Sequence, residues 1–563
     1  MNRSDALRAL RQHPDVSVLI VGAGINGIGT FRDLAHNGVD VLLIDRQDFC
    51  SGASAASSHM AHGGIRYLEN GELRLVREAV QERNFMIENA PHIVRPLPTT
   101  IPIFRVFSGL LNAPMKFLGL LDRPSERGSL VIKIGLMLYD AYTGRQRTVP
   151  RHRFMGRQES LRRWSKLSPK VVHTATYYDG AILQPERLGL ELILDAEAEN
   201  ANARALNYVS LHRQSEESVF VRDGLTDETY EIRPRILVNA TGPWIDQTNQ
   251  IAGYNTRFIE GTKGSHVVLD HLELRQAIGD HEFFFENKDG RIVLIFPLYD
   301  RVLVGTSDLP TVDPDNVRCT EEEVDYFLEL VKRVFPTINV RRSDIVFRFS
   351  GVRPLAASKS KTTGQITRDH EIRAVGGRQT DLPFPIYSLV GGKWTSWRAF
   401  SEQATDKCLA HLGTTRTAYT RRLSIGGGRG YPSSAEDGQR MLNIIVNKCR
   451  GSVPRAEALF ERYGTRSMQV SEFMASGDDS LLDSLPGYSR REIEFISAQE
   501  KVVHLDDVLL RRSMLAMLGR VTREAMIEIA DVLAGPLMWD ARRKEFEIAR
   551  TLGILKDRHQ SDL

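Results

Sequence analysis

The stretch SVLIVGAGINGIGTFRDLAHNGVDVLLID, Ser17 to Asp45, decides the fold. Val18 to Val21 is a short apolar run of the kind buried in a parallel sheet. Gly22, Gly24 and Gly27, with Ile25 and Asn26 between them, spell G-x-G-x-x-G. Val39 to Ile44 gives a second buried strand, and Asp45 closes it 18 residues after Gly27, where an adenosine ribose needs a carboxylate. One glycine makes the turn, one lets the backbone approach a pyrophosphate, and one lets helix pack on strand. The helix that follows presents unpaired N–H groups and a partial positive charge to the phosphates. The spacing predicts strand, glycine turn, helix and strand: a dinucleotide-binding unit.

The rest of the chain is long enough for more than this unit. Its 563 residues predict two or three domains, and 42% apolar with 26% charged residues is ordinary for a globular enzyme. A net charge of +3 gives no reason to expect nucleic acid. Cys50, Cys319, Cys408 and Cys449 are far apart and lack metal-ligand spacing, so reduced thiols in the cytoplasm and no metal centre are expected. The first fifteen residues lack the apolar core of a signal peptide, and no run has the roughly 18 apolar residues of a spanning helix.

Residues 46–71 begin with small serines and alanines and pass into His62-Gly63-Gly64-Ile65-Arg66-Tyr67. Ser57 and Ser58 are expected to donate to the pyrophosphate, and the glycine pair would admit a flat ring. A second turn, Ala240-Thr241-Gly242, ends the apolar run Ile236 to Asn239. Such a turn at a sheet's carboxyl edge contacts the adenosine side of a dinucleotide. Its position some 200 residues downstream of the first fingerprint predicts a discontinuous cofactor domain.

The pattern S-x-A-S-S-x-x-x-H-G-G-x-R-Y-L-E after G-x-G-x-N-G resembles the FAD-dependent glycerol-3-phosphate dehydrogenases, within the amino-acid-oxidase-like flavoproteins. The likeness continues through ELRLVREAVQERN (72–84), APHIVRP (90–96), LVNATGPW (237–244), KGSH (263–266), VGTSD (304–308), SGVRPL (350–355) and GGKWTS (391–396). It implies an α/β fold: a Rossmann-like FAD domain, an antiparallel-sheet substrate domain and a C-terminal α-helical domain. The expected boundaries are 15–100, 170–250 and 345–400 for the cofactor domain, 100–170 and 250–345 for the substrate domain, and 410–563 for the helical one.

Local patterns fill in this outline. Residues 72–90 have helical periodicity, and 256–310 alternate as antiparallel strands do. Thr320 to Glu323 and Ser489 to Glu492 predict capping boxes, and 508–518 and 522–533 predict amphipathic helices. Residues 101–142 mix Leu, Phe and Met with Arg105, Lys116, Arg123, Arg127 and Lys133. They suit either an anionic membrane surface or two buried helices with snorkelling cations.

Oxidising a secondary alcohol on a flavin requires an acceptor for the hydroxyl proton and a tightly held substrate. A phosphate ester carries nearly two negative charges, which arginine binds bidentately. The resemblance implies Arg66 on the phosphate with Tyr67 lining the pocket, and Arg353 on the phosphate or the developing alkoxide. It implies Lys393 beside the ring, His266 as general base and His62 near the flavin. Gly392 and Thr395, in the G-G-K-W-T turn, are expected to touch the cofactor. The implied reaction oxidises sn-glycerol 3-phosphate to dihydroxyacetone phosphate and passes electrons to quinone, at the inner face of the plasma membrane, with a homodimer as the expected assembly. Another polyol phosphate such as a tetritol phosphate, an oxygen-using oxidase and a flavin-binding sensor are the alternatives. His59 stands where the family pattern has lysine, which predicts either a changed substrate preference or a neutral swap at a solvated position.

Overall fold

The computed structural model describes residues 3–64, 72–106, 129–143, 148–286, 292–357, 369–376 and 382–561. The first fingerprint folds as its spacing predicts: strand Asp15–Val21, helix Ile25–His36 and strand Val41–Ile44. Thr229–Asn239 lies parallel to Asp15–Val21 on one side, and Val41–Ile44 on the other, so Val18 pairs with both Ile236 and Val41. Pro385–Val390 extends the sheet beyond Thr229–Asn239, and Ala203–Leu206 extends it beyond Val41–Ile44. The apolar run Ile236 to Asn239 is the end of a longer strand, Thr229–Asn239.

Helices Ile25–His36, Pro185–Glu199 and Trp397–Leu412 cover this sheet. Ile28, Phe31, Leu34, Leu188, Leu192 and Phe400 are wholly buried there with Val18, Ile20, Val41 and Leu43. At about 1.5–3 kcal/mol for each large apolar side chain, this contact joins chain segments nearly 400 residues apart. Discontinuity is therefore a consequence of packing.

Among the described residues the second sheet has ten strands, and it claims more of the chain than the sequence suggests. Val94–Ile103 and His173–Ile182 pair along their full length within it, as do Ile345–Ala356 and Ile259–Leu269. Residues 94–100, 173–182 and 345–356, expected in the cofactor domain, thus belong to the substrate sheet. Ile101 to Ile103 is strand, Ser129–Thr143 is helix, and 107–128 lie outside the described residues. One face of the sheet packs Val267, Val293, Ile295 and Phe283 against helix Glu321–Val334. That helix opens with the predicted capping box, Thr320 accepting from the Glu323 N–H and Glu323 from the Thr320 N–H.

The opposite face turns Val268, Phe296, Phe347 and Phe349 toward the C-terminal helices. Those helices depart from expectation twice. Ser489 caps Arg490–Gln499, but the Glu492 carboxylate binds Arg455, Arg462 and Tyr463 instead of closing a box. The expected helix over 508–518 is a single π turn, Val508–Arg512, ending at an extended Ser513. The wider turn lets Arg511 and Arg512 both reach Asp48, three residues beyond Asp45. No helix among the described residues is long and apolar enough to cross a membrane.

Candidate active site

The site begins where the parallel strands end. Gly22 has φ +104, and a Cβ there would sit 2.7 Å from the Ala240 carbonyl carbon, so the two nucleotide turns meet backbone to backbone. Ala240 N–H donates to Val21 O at 2.8 Å, which fixes Thr241 and Gly242 beside the glycine turn. Asp45 accepts from Ala23 N–H at 2.7 Å and Gln47 N–H at 2.9 Å, and burial pushes its carboxyl up to about 6. It therefore shapes the loop as well as facing the nucleotide edge. Ile25 N–H, at the start of the helix, donates to Ser54 Oγ at 2.9 Å. Ser54 is a partner that the glycine spacing does not reveal.

The third turn closes onto the same helix. Asn26 Nδ2 reaches Gly391 O at 3.5 Å, and Thr395 Oγ1 accepts from His62 N–H at 3.1 Å. Gly391 and Gly392 thus meet Asn26, which lies between Gly24 and Gly27, and Thr395 from the same turn meets His62, which Gly63 and Gly64 follow. Gly63 N–H donates to Asp179 Oδ1 at 2.6 Å, and behind it Arg83 reaches the Tyr139 hydroxyl at 2.6 Å. Asp179 was not singled out in the sequence, although Tyr-Tyr-Asp-Gly at 177–180 is a polar interruption in an apolar strand. Burial raises the Glu78 carboxyl on helix Leu73–Asn89, opposed first by Arg74 and less by Lys393. Arg66 and Tyr67 lie outside the described residues.

The substrate sheet supplies the opposite wall. Strand alternation puts His266, Gly264, Phe349, Gly351 and Arg353 on one face, because Ile259–Leu269 and Ile345–Ala356 pair His266 with Phe349 and Gly264 with Gly351. His266 is 1% exposed and stacks on Phe349 at 4.8 Å, with its Nε2 2.9 Å from Ser58 Oγ. Burial, then the charge of Arg353, pushes this imidazole well below 6.5, so it is neutral at physiological pH. Ser58 meets the candidate base, and Ser57 accepts from His59 N–H, which leaves its own hydroxyl proton to donate. A Cβ at Gly264 would lie 2.3 Å from Arg353 Nη2, so only glycine leaves room for the guanidinium over this strand. Arg353 donates to Thr306 Oγ1 at 2.7 Å, Ser307 O at 3.0 Å and Asp308 Oδ1 at 3.2 Å.

His59 is fully buried, with Nδ1 3.1 Å from Ile182 O, and burial lowers its imidazole to about 4. It is a neutral interior side chain and not a solvated swap.

These residues fit FAD. The carboxyl ends of parallel strands, a helix N-terminus and the Asp45 carboxylate converge, and the buried Asn26 Oδ1 between two turns accepts from no described group. Comparison with known proteins agrees. Residues 17–377 match the family model of the FAD dependent oxidoreductases, and residues 418–544 match that of the C-terminal domain of alpha-glycerophosphate oxidase. The glycerol-3-phosphate dehydrogenase of Synechocystis is 31% identical, covering 90% of this chain and 91% of its own. That of Pseudomonas aeruginosa is also 31% identical, covering 89% and 92%. The glycerol-3-phosphate dehydrogenase from Bacillus halodurans, solved with FAD, superposes with a TM-score of 0.76 at 21% identity over 99% of this chain and 97% of its own. Two nucleotide turns sharing one backbone contact, a third turn on the same helix and this breadth of likeness lead to one assignment: the chain belongs to the FAD-dependent oxidoreductases, in the glycerol-3-phosphate dehydrogenase family.

Proposed function

We propose that the protein oxidises sn-glycerol 3-phosphate to dihydroxyacetone phosphate and delivers the electrons to a membrane quinone. The observation that carries this reading is the shared face of His266 and Arg353, opposite the flavin cradle, in a chain whose relatives bear that name across nine-tenths of their length. Bound FAD supplies the hydride acceptor. Arg353 binds the substrate's phosphate or its C2 oxygen, and the neutral His266 accepts the hydroxyl proton. Arg66 takes the phosphate, and Lys393 places positive charge beside the ring. Each charge-assisted hydrogen bond to phosphate contributes about 1.5–3 kcal/mol, enough to hold the reacting carbon in line.

A second feature supports an acceptor carried by a membrane. Helix Ser129–Thr143 turns Ile132, Leu136 and Tyr139 inward, while Leu130, Ile134 and Met137 are 42%, 50% and 56% exposed on its outer side. Lys133 stands exposed among them, with Arg105 and Arg151 exposed on neighbouring chain. An apolar helix face fringed by cations suits an anionic lipid surface. Flotation with vesicles containing anionic lipid, compared with zwitterionic vesicles, checks this: loss of binding in Ile134→Glu supports it, and equal flotation of both proteins refutes it.

Anaerobic mixing with sn-glycerol 3-phosphate, its enantiomer, a tetritol phosphate and glycerol tests the reaction. Rapid bleaching of the yellow protein by the first alone is the expected result. Faster bleaching by the tetritol phosphate reassigns the substrate, and bleaching by none of them favours a sensor.

A further inference from the structure

Arg353 is held by backbone and side chains of the segment Thr306 to Asp308, and that segment is itself anchored. Ser307 Oγ donates to Glu323 Oε1 at 2.5 Å and accepts from Ser265 N–H at 2.9 Å. The other carboxylate oxygen of Glu323 accepts from Lys263 Nζ at 2.7 Å and from Thr320 N–H at 2.8 Å. Glu323 is 5% exposed, Lys263 9% and Ser307 1%, so these bonds are made in a low-dielectric interior where they are strong and geometrically demanding. Burial, which would raise the Glu323 carboxyl, is outweighed by its bonds from Lys263 and Ser307, and it stays ionised.

The arrangement has a consequence for the site. Lys263 and Ser265 flank Gly264, over which the Arg353 guanidinium lies, and His266 is the next residue. One carboxylate on the far side of the sheet therefore fixes both the strand beneath the guanidinium and the segment that grips it. It also holds the Lys263 ammonium, which donates to Arg318 O at 2.8 Å as well, on the face away from His266 and Arg353. A capping glutamate with only a helix to start would need neither Ser307 nor Lys263.

We propose that Glu323 is a positioning residue for the reaction, acting through Ser307 on Arg353 and through Lys263 on the strand that carries His266. The inference rests on the role given to Arg353 above. Ser307→Ala removes the hydroxyl link but keeps the carbonyl that Arg353 uses. Glu323→Gln keeps the cap and removes the charge. Steady-state kinetics with sn-glycerol 3-phosphate should show kcat/KM about tenfold lower in each variant with flavin content unchanged; Tm should change little in Ser307→Ala and fall in Glu323→Gln, which leaves buried Lys263 without its counter-ion. Because both act through one chain of bonds, the double variant should lose no more than the worse single one. Multiplying losses, unchanged kcat/KM, or losses that simply follow Tm overturn the proposal. Arg353→Ala separates the two levels: if it is crippled while Ser307→Ala and Glu323→Gln are unaffected, only the positioning role fails. If Arg353→Ala retains wild-type kcat/KM, the role of Arg353 fails and this inference with it.

Discussion

Ser58 Oγ lies 2.9 Å from His266 Nε2, so the serine loop of the cofactor domain is hydrogen-bonded to the strand that carries the candidate base. This contact joins the two domains at the reacting centre. It also occupies one ring nitrogen of an imidazole that burial and Arg353 hold well below 6.5. A lowered pKa keeps the neutral, proton-accepting form present as pH falls. The kcat/KM profile of the holoenzyme should therefore stay flat through pH 6.5, with its acid limb at lower pH. A limb centred near 6.5 that disappears in His266→Asn would contradict this.

Arg353 gives a prediction about binding. Its fork makes bonds to Thr306, Ser307 and Asp308 that a lysine ammonium cannot reproduce together. Arg353→Lys should raise KM for the phosphorylated substrate by about tenfold to a hundredfold, the loss of one or two charge-assisted bonds. Flavin content should be unchanged, and a variant with normal KM would remove Arg353 from the site.

Asp48 tests the union of the nucleotide and helical domains. It accepts from Arg511 at 2.5 Å and from Arg512 at 2.7 and 2.9 Å, with Asn207 Nδ2 also at 2.9 Å. Burial alone would raise this carboxyl, but Arg512 and Arg511 hold it below the usual carboxylate range. A depressed carboxyl contributes stability above its unfolded value of about 4 and loses it as pH falls further. Asp48→Asn leaves the buried Arg512 guanidinium without its carboxylate, while Arg511 keeps Asp506 and Asp507, and should cost about 3–5 kcal/mol at neutral pH. The deficit in Tm should narrow below pH 4; a constant deficit would point to packing instead.

Glu282 behaves in the opposite sense. It is fully buried on the substrate sheet, accepts from Thr99 Oγ1 at 3.0 Å, and burial pushes its carboxyl up to about 8. The folded chain keeps this proton while the unfolded chain releases it near 4.5, so stability drains away as pH rises from 4.5 to 8. Glu282→Gln keeps the Thr99 bond and removes the drain. Its Tm should match wild type near pH 5, exceed it increasingly up to pH 8, and hold a constant advantage above. A variant less stable at pH 8 would show that the carboxylate is ionised and paired.

The sequence was most legible where one short stretch does one job. The glycine turn, Asp45, the A-T-G turn and the Thr320 cap can be read locally, because their geometry is set within a few residues. Long-range partners left no such trace. Asp48 and Arg512 are 464 residues apart, and nothing in either neighbourhood names the other. Residues 101–103 read as part of a basic, apolar segment because their strand character comes from pairing with 173–175, which local pattern does not encode. His59 differs from its sequence expectation for a related reason. A histidine in a serine-rich loop reads as exposed, and only the packing of Ile182 and Phe296 around it makes it interior. The motif order did bring His62, Thr395, Asn26 and Gly391 into one place, since each belongs to a turn whose glycines already require close backbone approach.

The scattered origin of the flavin cradle also sets a timetable. Gly22 leaves the ribosome early, but its counterpart Thr395 follows 373 residues later, roughly 20–75 s at about 5–20 residues per second. Until then the nascent chain has half a grip, with the helix N-terminus open on the side where Gly391 and Thr395 will close. FAD can therefore be fully gripped only near the end of synthesis, and a cell short of flavin would accumulate full-length chains with an unclosed cradle.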